Sequence, residues 1–188
     1  MARPRSDDRR SAILSAAIRV VAAHGLEAST AAIAREAGIS NGSLFTYFDT
    51  KAALLNQVYI ELKEEMAAAS YKGLCADGEP MEQMRQLWSQ RLHWAFSSPE
   101  KHRVLAYLIV SNEVTPESRE IGQLAMAGIT QMLERTHRQG PMRATSMSFV
   151  TSVIIAVANA TVDFMIQDPA NADRHCAAGF DAIWRAVS

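Results

Sequence analysis

Residues 29–51 constrain this chain most, because they read as two short helices joined by a tight glycine turn. The first helix begins at Ser29 or Thr30, whose hydroxyl oxygen is positioned to accept hydrogen bonds from the free N–H groups of its first turn. Gly38 ends this helix, since glycine adopts the left-handed conformation at no steric cost. Ser40 then supplies a new cap two residues later. The pattern predicts a helix-turn-helix.

The second of these helices has one apolar and one polar face. Leu44 and Phe48 lie four residues apart, so both can pack inward with Ile39. The outward face carries small and polar residues, namely Asn41, Gly42, Ser43, Thr46 and Tyr47. Short hydrogen-bonding groups without bulk suit a helix presented to the major groove of DNA.

Lys51 follows this pair at the start of the next predicted helix. If Asp49 or Thr50 caps that helix, Lys51 lies in its first turn, where a cation opposes the helix dipole at a cost of roughly 0.3–1 kcal/mol. A bound phosphate would make the same position favourable. The alternative is a solvated lysine on an ordinary surface helix.

The rest of the chain predicts more helices, without sustained alternation of apolar and polar residues. A first helix, residues 8–23, is needed to cover the apolar faces of the helix-turn-helix. Proline and glycine punctuate the later segments, which are residues 51–71, 81–96, 99–113, 116–138, 144–167 and 170–186. We therefore expect an all-α fold of about nine helices, with an N-terminal three-helix bundle.

Composition and charge limit the class of protein. Two widely spaced cysteines and the absence of an apolar signal segment predict a reduced, intracellular protein. Residues 1–51 carry seven basic against five acidic residues, so the basic end coincides with the helix-turn-helix. Arg3 and Arg5 suggest either a disordered start or an arm reaching a minor groove. The apolar run 149–166 is interrupted by polar residues and Asp163, which argues against a membrane span and suggests burial against a partner.

The N-terminal third resembles the TetR family of bacterial transcriptional repressors. The likeness rests on residues 13–17, Gly25, Thr30, Ile33-Ala34, residues 37–40, residues 42–48, Lys51 and Leu54. It implies a DNA-binding domain at residues 6–66, with the helix-turn-helix at about 29–48, and a helical ligand-binding and dimerisation domain at residues 73–188. Phe45 departs from the tyrosine usual in the family, and Asn41 stands where lysine or arginine is common.

The resemblance implies a cytoplasmic, homodimeric repressor that binds a palindromic operator and is released by a small-molecule effector. Thr30, Tyr47 and Lys51 match positions that contact DNA phosphates in the family, and Asn41, Ser43 and Thr46 match positions that face bases. Activation in place of repression stays open, because the motif fixes only DNA binding. A helical interaction protein that never binds DNA is the rival interpretation.

The C-terminal half predicts a dimer through its last two helices. Residues 144–167 place Ser152, Ala156 and Ala160 four apart, a stripe that allows close helix approach. The last helix adds Ala177, Ala178, Ala182 and Ala186. Burial of both helices within a monomer is the alternative.

A largely apolar effector is expected to bind among methionine and aromatic residues of this half, which serve equally well as ordinary core. The candidates are Trp88, Leu92, Phe96, Tyr107, Met126 and Asp163. Asp163 is included because a carboxylate buried in so apolar a helix normally has a cation or donor as partner.

No cofactor, metal or catalytic activity is expected. Glu134 and His137 form one Glu-x-x-His pair, but di-iron bundles need two such pairs, so a surface pair at a helix end is favoured. The sequence has no phosphate-binding loop, dinucleotide glycine motif, nucleophile elbow or zinc-helix motif.

Overall fold

The computed structural model describes residues 3–75, 78–138 and 140–188, with side chains from Asp7 onward. The side chains of Arg3 and Arg5, which form the predicted arm, lie outside the described part. Helices and connecting turns form all of it, which confirms the all-α prediction. The α-helices are α1 Arg3–His24, α2 Thr30–Glu36, α3 Asn41–Leu44, α4 Lys51–Tyr71, α5 Pro80–Ser97, α6 Pro99–Ile109, α7 Pro116–Ala125, α8 Ala127–His137, α9 Met147–Gln167 and α10 Ala172–Val187. A 3₁₀ turn, Pro169–Asn171, precedes α10.

The helices form two compact units. The first contains the described residues up to Glu64 together with Ser98–Leu124, and the second contains Glu65–Ser97 and Ala125–Ser188. Residues 98–124, which the sequence placed with the C-terminal half, therefore pack with the N-terminal bundle, chiefly through α6 against α1. The functional domains at residues 6–66 and 73–188 stay a prediction.

The first unit has a continuous apolar core. Its fully buried side chains include Ile13, Leu14, Val21, Ile33, Leu44, Leu54, Leu55 and Val58. Asn56 is also buried, and its amide donates to the carbonyl of Glu113 (2.7 Å) while its oxygen accepts from the N–H of Thr115 (2.8 Å). One side chain thus fixes the loop between α6 and α7 on α4.

The second unit is built on α5, which contacts α8, α9 and α10. Trp88 of α5 is buried, and its indole N–H donates to the carbonyl of Cys176 on α10 (2.9 Å). Trp94, also buried, donates to the carboxylate of Glu65 (3.0 Å). Cys75 and Cys176 are both free thiols.

The single helix expected at 116–138 is instead two helices, α7 and α8, separated at Met126. The structure therefore describes ten α-helices. The hydroxyl of Tyr71 accepts a hydrogen bond from the N–H of Ile129 (2.9 Å), one of the free donors in the first turn of α8. Gly128 permits this approach, since a Cβ there would lie 2.7 Å from the Tyr71 hydroxyl oxygen.

Candidate nucleic-acid interface

Three side-chain caps hold α2, α3 and the start of α4 in place. Ser29 accepts from the N–H of Ala32 (3.1 Å) and Ser40 accepts from the N–H of Ser43 (3.1 Å). Between α2 and α3, Gly38 has a φ of +68°, in the left-handed region that its missing Cβ makes accessible. The helix-turn-helix geometry predicted from the sequence is therefore present.

The third cap fixes the position of Lys51. Thr50 accepts from the N–H of Ala53 (3.0 Å), so Thr50 rather than Asp49 is the capping residue. Lys51 is the first residue of α4, it is half-buried, and it forms no ion pair with any described residue. Lys51 thus adds a positive charge to a helix N-terminus, which itself attracts anions.

The apolar face of α3 is anchored as predicted. Leu44 is fully buried and Phe48 is 5% exposed. Arg10 of α1 stacks over the Phe48 ring at 5.2 Å from its centroid and reaches Glu61 of α4 at 3.5 Å. α3 itself ends at Leu44, and turns carry the chain through Tyr47, so the helical segment is shorter than the expected residues 40–48.

The opposite face of α3 lies open to solvent. Asn41, Ser43 and Thr46 are exposed, while Tyr47 and Thr30 are half-buried. The Thr46 hydroxyl donates to the carbonyl of Ser43 (2.7 Å), and the Ser43 hydroxyl is 2.8 Å from that of Ser40. The Asn41 amide makes no hydrogen bond within the described residues, so its donor and acceptor are both available to a ligand.

The six effector candidates are divided between the two units. Trp88 and Leu92 are buried in the second unit, and Phe96 and Met126 are partly buried there. Tyr107 is 38% exposed and belongs to the first unit. Asp163 is exposed on α9, so the argument from a buried carboxylate does not hold for it.

A cavity of about 320 Å³ opens in the second unit. Its lining residues are Pro80, Gln83, Met132, Arg135, Thr136, Trp184 and Ser188. None of the six candidates lines it. Met132, another methionine of this half that the sequence offers as a ligand contact, does line it. The other walls come from α5, α8 and the end of α10, which are distant along the chain, so local sequence could not bring them together.

Glu134 and His137 do not form the surface pair expected from the sequence. His137 is 7% exposed, and its Nε2 lies 2.8 Å from the carbonyl oxygen of Met142, a contact in which the ring nitrogen donates. The ring therefore fixes the segment that follows α8. Among the described residues, no group of three or more His, Cys, Asp or Glu side chains is placed to hold a metal ion.

The fold and the exposed, capped helix-turn-helix define an all-helical DNA-binding regulator. Residues 13–58 match the sequence model of the bacterial regulatory proteins of the tetR family. Residues 13–58 therefore form a DNA-binding domain of the tetR type, and the solved structures that the chain resembles share its fold over nearly its whole length.

Three solved structures illustrate this likeness. A protein from Shewanella sp. PV-4, assigned to the tetR family of transcription regulators, is 25% identical with a TM-score of 0.81, over 94% of this chain and 96% of that one. A TetR family transcription regulator from Marinobacter aquaeolei VT8 is 22% identical with a TM-score of 0.82, over 98% of each chain. FadR from Bacillus subtilis, solved with stearoyl-CoA, is 16% identical with a TM-score of 0.69, over 95% of this chain and 99% of that one.

Proposed function

We propose that this regulator is a ligand-responsive repressor that binds a palindromic operator as a homodimer and is released by a small-molecule effector. The observation that carries the DNA-binding part is the exposed polar face of α3, held outward by the Ser40 cap and the buried Leu44. A recognition helix of this kind reads one half-site, and a dimer reads two.

Asn41 is the leading candidate for base recognition, ahead of Ser43 and Thr46. Its amide is exposed and free of intramolecular hydrogen bonds to described residues, and an amide pairs bidentately with N6 and N7 of adenine. The Thr46 proton is already donated to a backbone carbonyl, so this hydroxyl is left mainly as an acceptor. Ser43 shares its hydroxyl with Ser40 and is the least available of the three.

Thr30, Tyr47 and Lys51 are proposed to contact phosphates on either side of α3. Thr30 and Lys51 are the first residues of α2 and α4, where backbone N–H groups and the helix dipole favour an anion. Tyr47 keeps part of its side chain accessible at the end of the helix-turn-helix. Such contacts position the protein without reading sequence.

The homodimer is proposed to form through α9 and α10. Only 28% of the most apolar window of α9 is buried within the chain, although by length and composition this helix would suffice to cross a membrane. The small residues Ser152, Ala156, Ala160, Ala177, Ala178 and Ala182 are all exposed. Phe149 and Phe164 on α9 are exposed by more than half, so a second copy would cover apolar surface.

The effector is proposed to be largely apolar and to bind in the second unit, near Trp88, Leu92, Phe96 and Met126. These side chains are buried or partly buried among α5 and its neighbours. The FadR structure, solved in complex with stearoyl-CoA, shows that a protein of this fold can bind a ligand with a long apolar part. Tyr107 and Asp163, both exposed, have less support.

The protein is further proposed to act in the cytoplasm and without catalysis. Activation remains the alternative to repression, because both use the same DNA contacts and differ in where the operator lies. A reporter gene placed behind the operator distinguishes them by the sign of its change when the regulator is removed.

The decisive experiment is a gel-shift titration with the inverted repeat nearest the gene of this protein. We expect the folded dimer to shift the full repeat more tightly than a single half-site, with affinity that falls steeply as salt rises. A folded dimer that shifts no DNA at low salt would leave the interaction-protein interpretation in place.

A further inference from the structure

Arg91 lies where a charged side chain is least expected, in the middle of the buried face of α5. Leu87 precedes it by one turn and Ala95 follows by one turn, and both are buried. Trp88 and Trp94, three residues before and after it, are buried as well. Because residues three or four apart share a helix face, these four flank the Arg91 side chain with apolar surface.

The guanidinium of Arg91 has no counterion. Neither a hydrogen bond nor an ion pair joins it to any residue that the structure describes, and burial lowers its pKa with no compensating charge. Two acids of α10, which packs on α5, are paired with other residues of α5: Asp173 lies 3.0 Å from His93, and Asp181 lies 3.5 Å from Arg85. A buried cation left in this state is destabilising.

The same side chain keeps part of its surface accessible. No buried side-chain nitrogen or oxygen among the described residues lacks a hydrogen-bond partner, so the unpaired nitrogens of Arg91 must be reachable by a water-sized molecule. The guanidinium is thus flanked by buried apolar side chains and still accessible from solvent. A ligand that approaches it meets a cation and apolar surface together.

We propose that Arg91 is the anchor for the acidic head of the effector, and that the effector is a monocarboxylate with an apolar body. This rests on the proposed function and makes it more specific. The planar guanidinium matches a carboxylate in a bidentate geometry. One arginine balances one negative charge, whereas a phosphate dianion would bring a second charge into apolar surroundings without a partner. The flanking tryptophan and aliphatic side chains then contact the apolar body.

The first test needs no ligand. Replacing Arg91 with Leu removes an unpaired buried charge and adds apolar volume, so the thermal midpoint of the unliganded protein should rise by a few degrees. Arg135→Leu is the matched control, because Arg135 is an exposed arginine that lines the separate 320 Å³ cavity. It should leave the midpoint unchanged. A lower midpoint for Arg91→Leu would mean that the guanidinium makes stabilising contacts, and would overturn the proposal.

The second test uses decanoate and 1-naphthoate, each compared with its neutral primary amide, in thermal-shift and tryptophan-fluorescence titrations of the full chain. At least one carboxylate should bind more tightly than its amide. This preference should fall by on the order of tenfold or more in Arg91→Leu. Arg91→Lys keeps the charge and loses the planar fork, so it should retain only part of the preference.

Three results would overturn the proposal: binding of neither carboxylate, an equal affinity for acid and amide, or loss of the preference in Arg135→Leu in place of Arg91→Leu. A parallel gel shift separates this inference from the proposed function. DNA binding with no carboxylate preference rejects the anchor alone, whereas carboxylate binding without any DNA shift rejects the repressor and leaves the anchor.

Discussion

At the residue scale, the polar groups around α3 differ in what they can do. Asn41 offers a free amide, which carries both a donor and an acceptor and can therefore distinguish bases. Lys51 offers a point charge at a helix N-terminus, which attracts any phosphate regardless of sequence. Substitutions at the two positions should therefore change DNA binding in different ways: one should alter affinity for all sequences, and the other should alter base preference.

Lys51→Ala should weaken binding to operator and to unrelated DNA by similar factors, and reduce the slope of log affinity against log salt by about one. Asn41→Ala should cost about 1–3 kcal/mol on the operator and relax base preference at one position of each half-site. Fluorescence anisotropy over a salt series, with a set of singly substituted operators, measures both effects. Lys72→Ala is the control, since it removes the same charge from an exposed site in the second unit. An unchanged affinity and salt slope for Lys51→Ala would remove Lys51 from the interface.

The sequence predicted the residues whose environment is set locally and missed those set by distant packing. Leu44 and Phe48 follow from helical spacing within one short stretch, and both are buried as expected. His137 was expected at the surface, but the carbonyl of Met142, beyond the end of α8, accepts from its ring and keeps it inside. The sequence left open whether Asp163 points inward, because helical periodicity does not show which side of so apolar a helix is covered; the residue lies exposed on α9.

At the element scale, the close crossing of α5, α9 and α10 depends on one glycine. A Cβ at Gly179 would lie 2.5 Å from the hydroxyl oxygen of Thr161 on α9 and 2.9 Å from the Trp88 ring on α5. Both neighbours are buried, and Thr161 is held by its hydrogen bond to the carbonyl of Val157 (2.8 Å). The three helices therefore pack too closely at this point to accept a side chain at Gly179.

Gly179→Ala should lower the free energy of unfolding by about 1–3 kcal/mol, because overpacking outweighs the higher helix propensity of alanine. Gly42→Ala is the matched control: its new Cβ would meet only the Ser40 hydroxyl, at 3.9 Å, so it should be neutral or slightly stabilising. Urea denaturation followed by circular dichroism measures both variants. Equal or higher stability of Gly179→Ala would mean that α10 is free to shift away from α5 and α9.

Helix starts were predictable because their caps are local. Ser29, Ser40 and Thr50 each bond a backbone N–H three residues onward, a relation visible in the sequence. The break at Met126 was not predictable in this way. The start of α8 after this break is bound by Tyr71, whose hydroxyl accepts from the N–H of Ile129 although the two residues are 58 apart along the chain.

At the scale of the whole molecule, the sequence indicates a break between two predicted domains, and the packing divides the described helices into two compact units. The breaks around residues 72–80 mark a loop, but a loop does not show which helices share a core. α6 packs on α1, and Arg103 of α6 donates to the carbonyl of Ala22 (3.4 Å), so a segment late in the chain completes the N-terminal unit. The fold class was thus accessible from periodicity, whereas membership of each unit required tertiary contacts.

The homodimer is the property of the whole molecule on which the operator model depends, and Ala156 tests it. This residue lies exposed in the small-residue stripe of α9, where a second copy would have to approach closely. Ala156→Glu keeps a good helix former but places an unpaired charge in the proposed interface, so we expect the dimer dissociation constant to rise by about a hundredfold or more. Sedimentation velocity over a concentration series measures this.

The control for Ala156→Glu is Ala68→Glu, the same change at an exposed position of α4, which should leave the dimer intact. Circular dichroism should show the same helix content for both variants. The monomeric variant should also lose its preference for the full inverted repeat over a half-site, because two recognition helices no longer arrive together. If Ala156→Glu stays dimeric at low concentration, the two copies do not meet through the α9 stripe, and the proposed pairing of half-sites needs another interface.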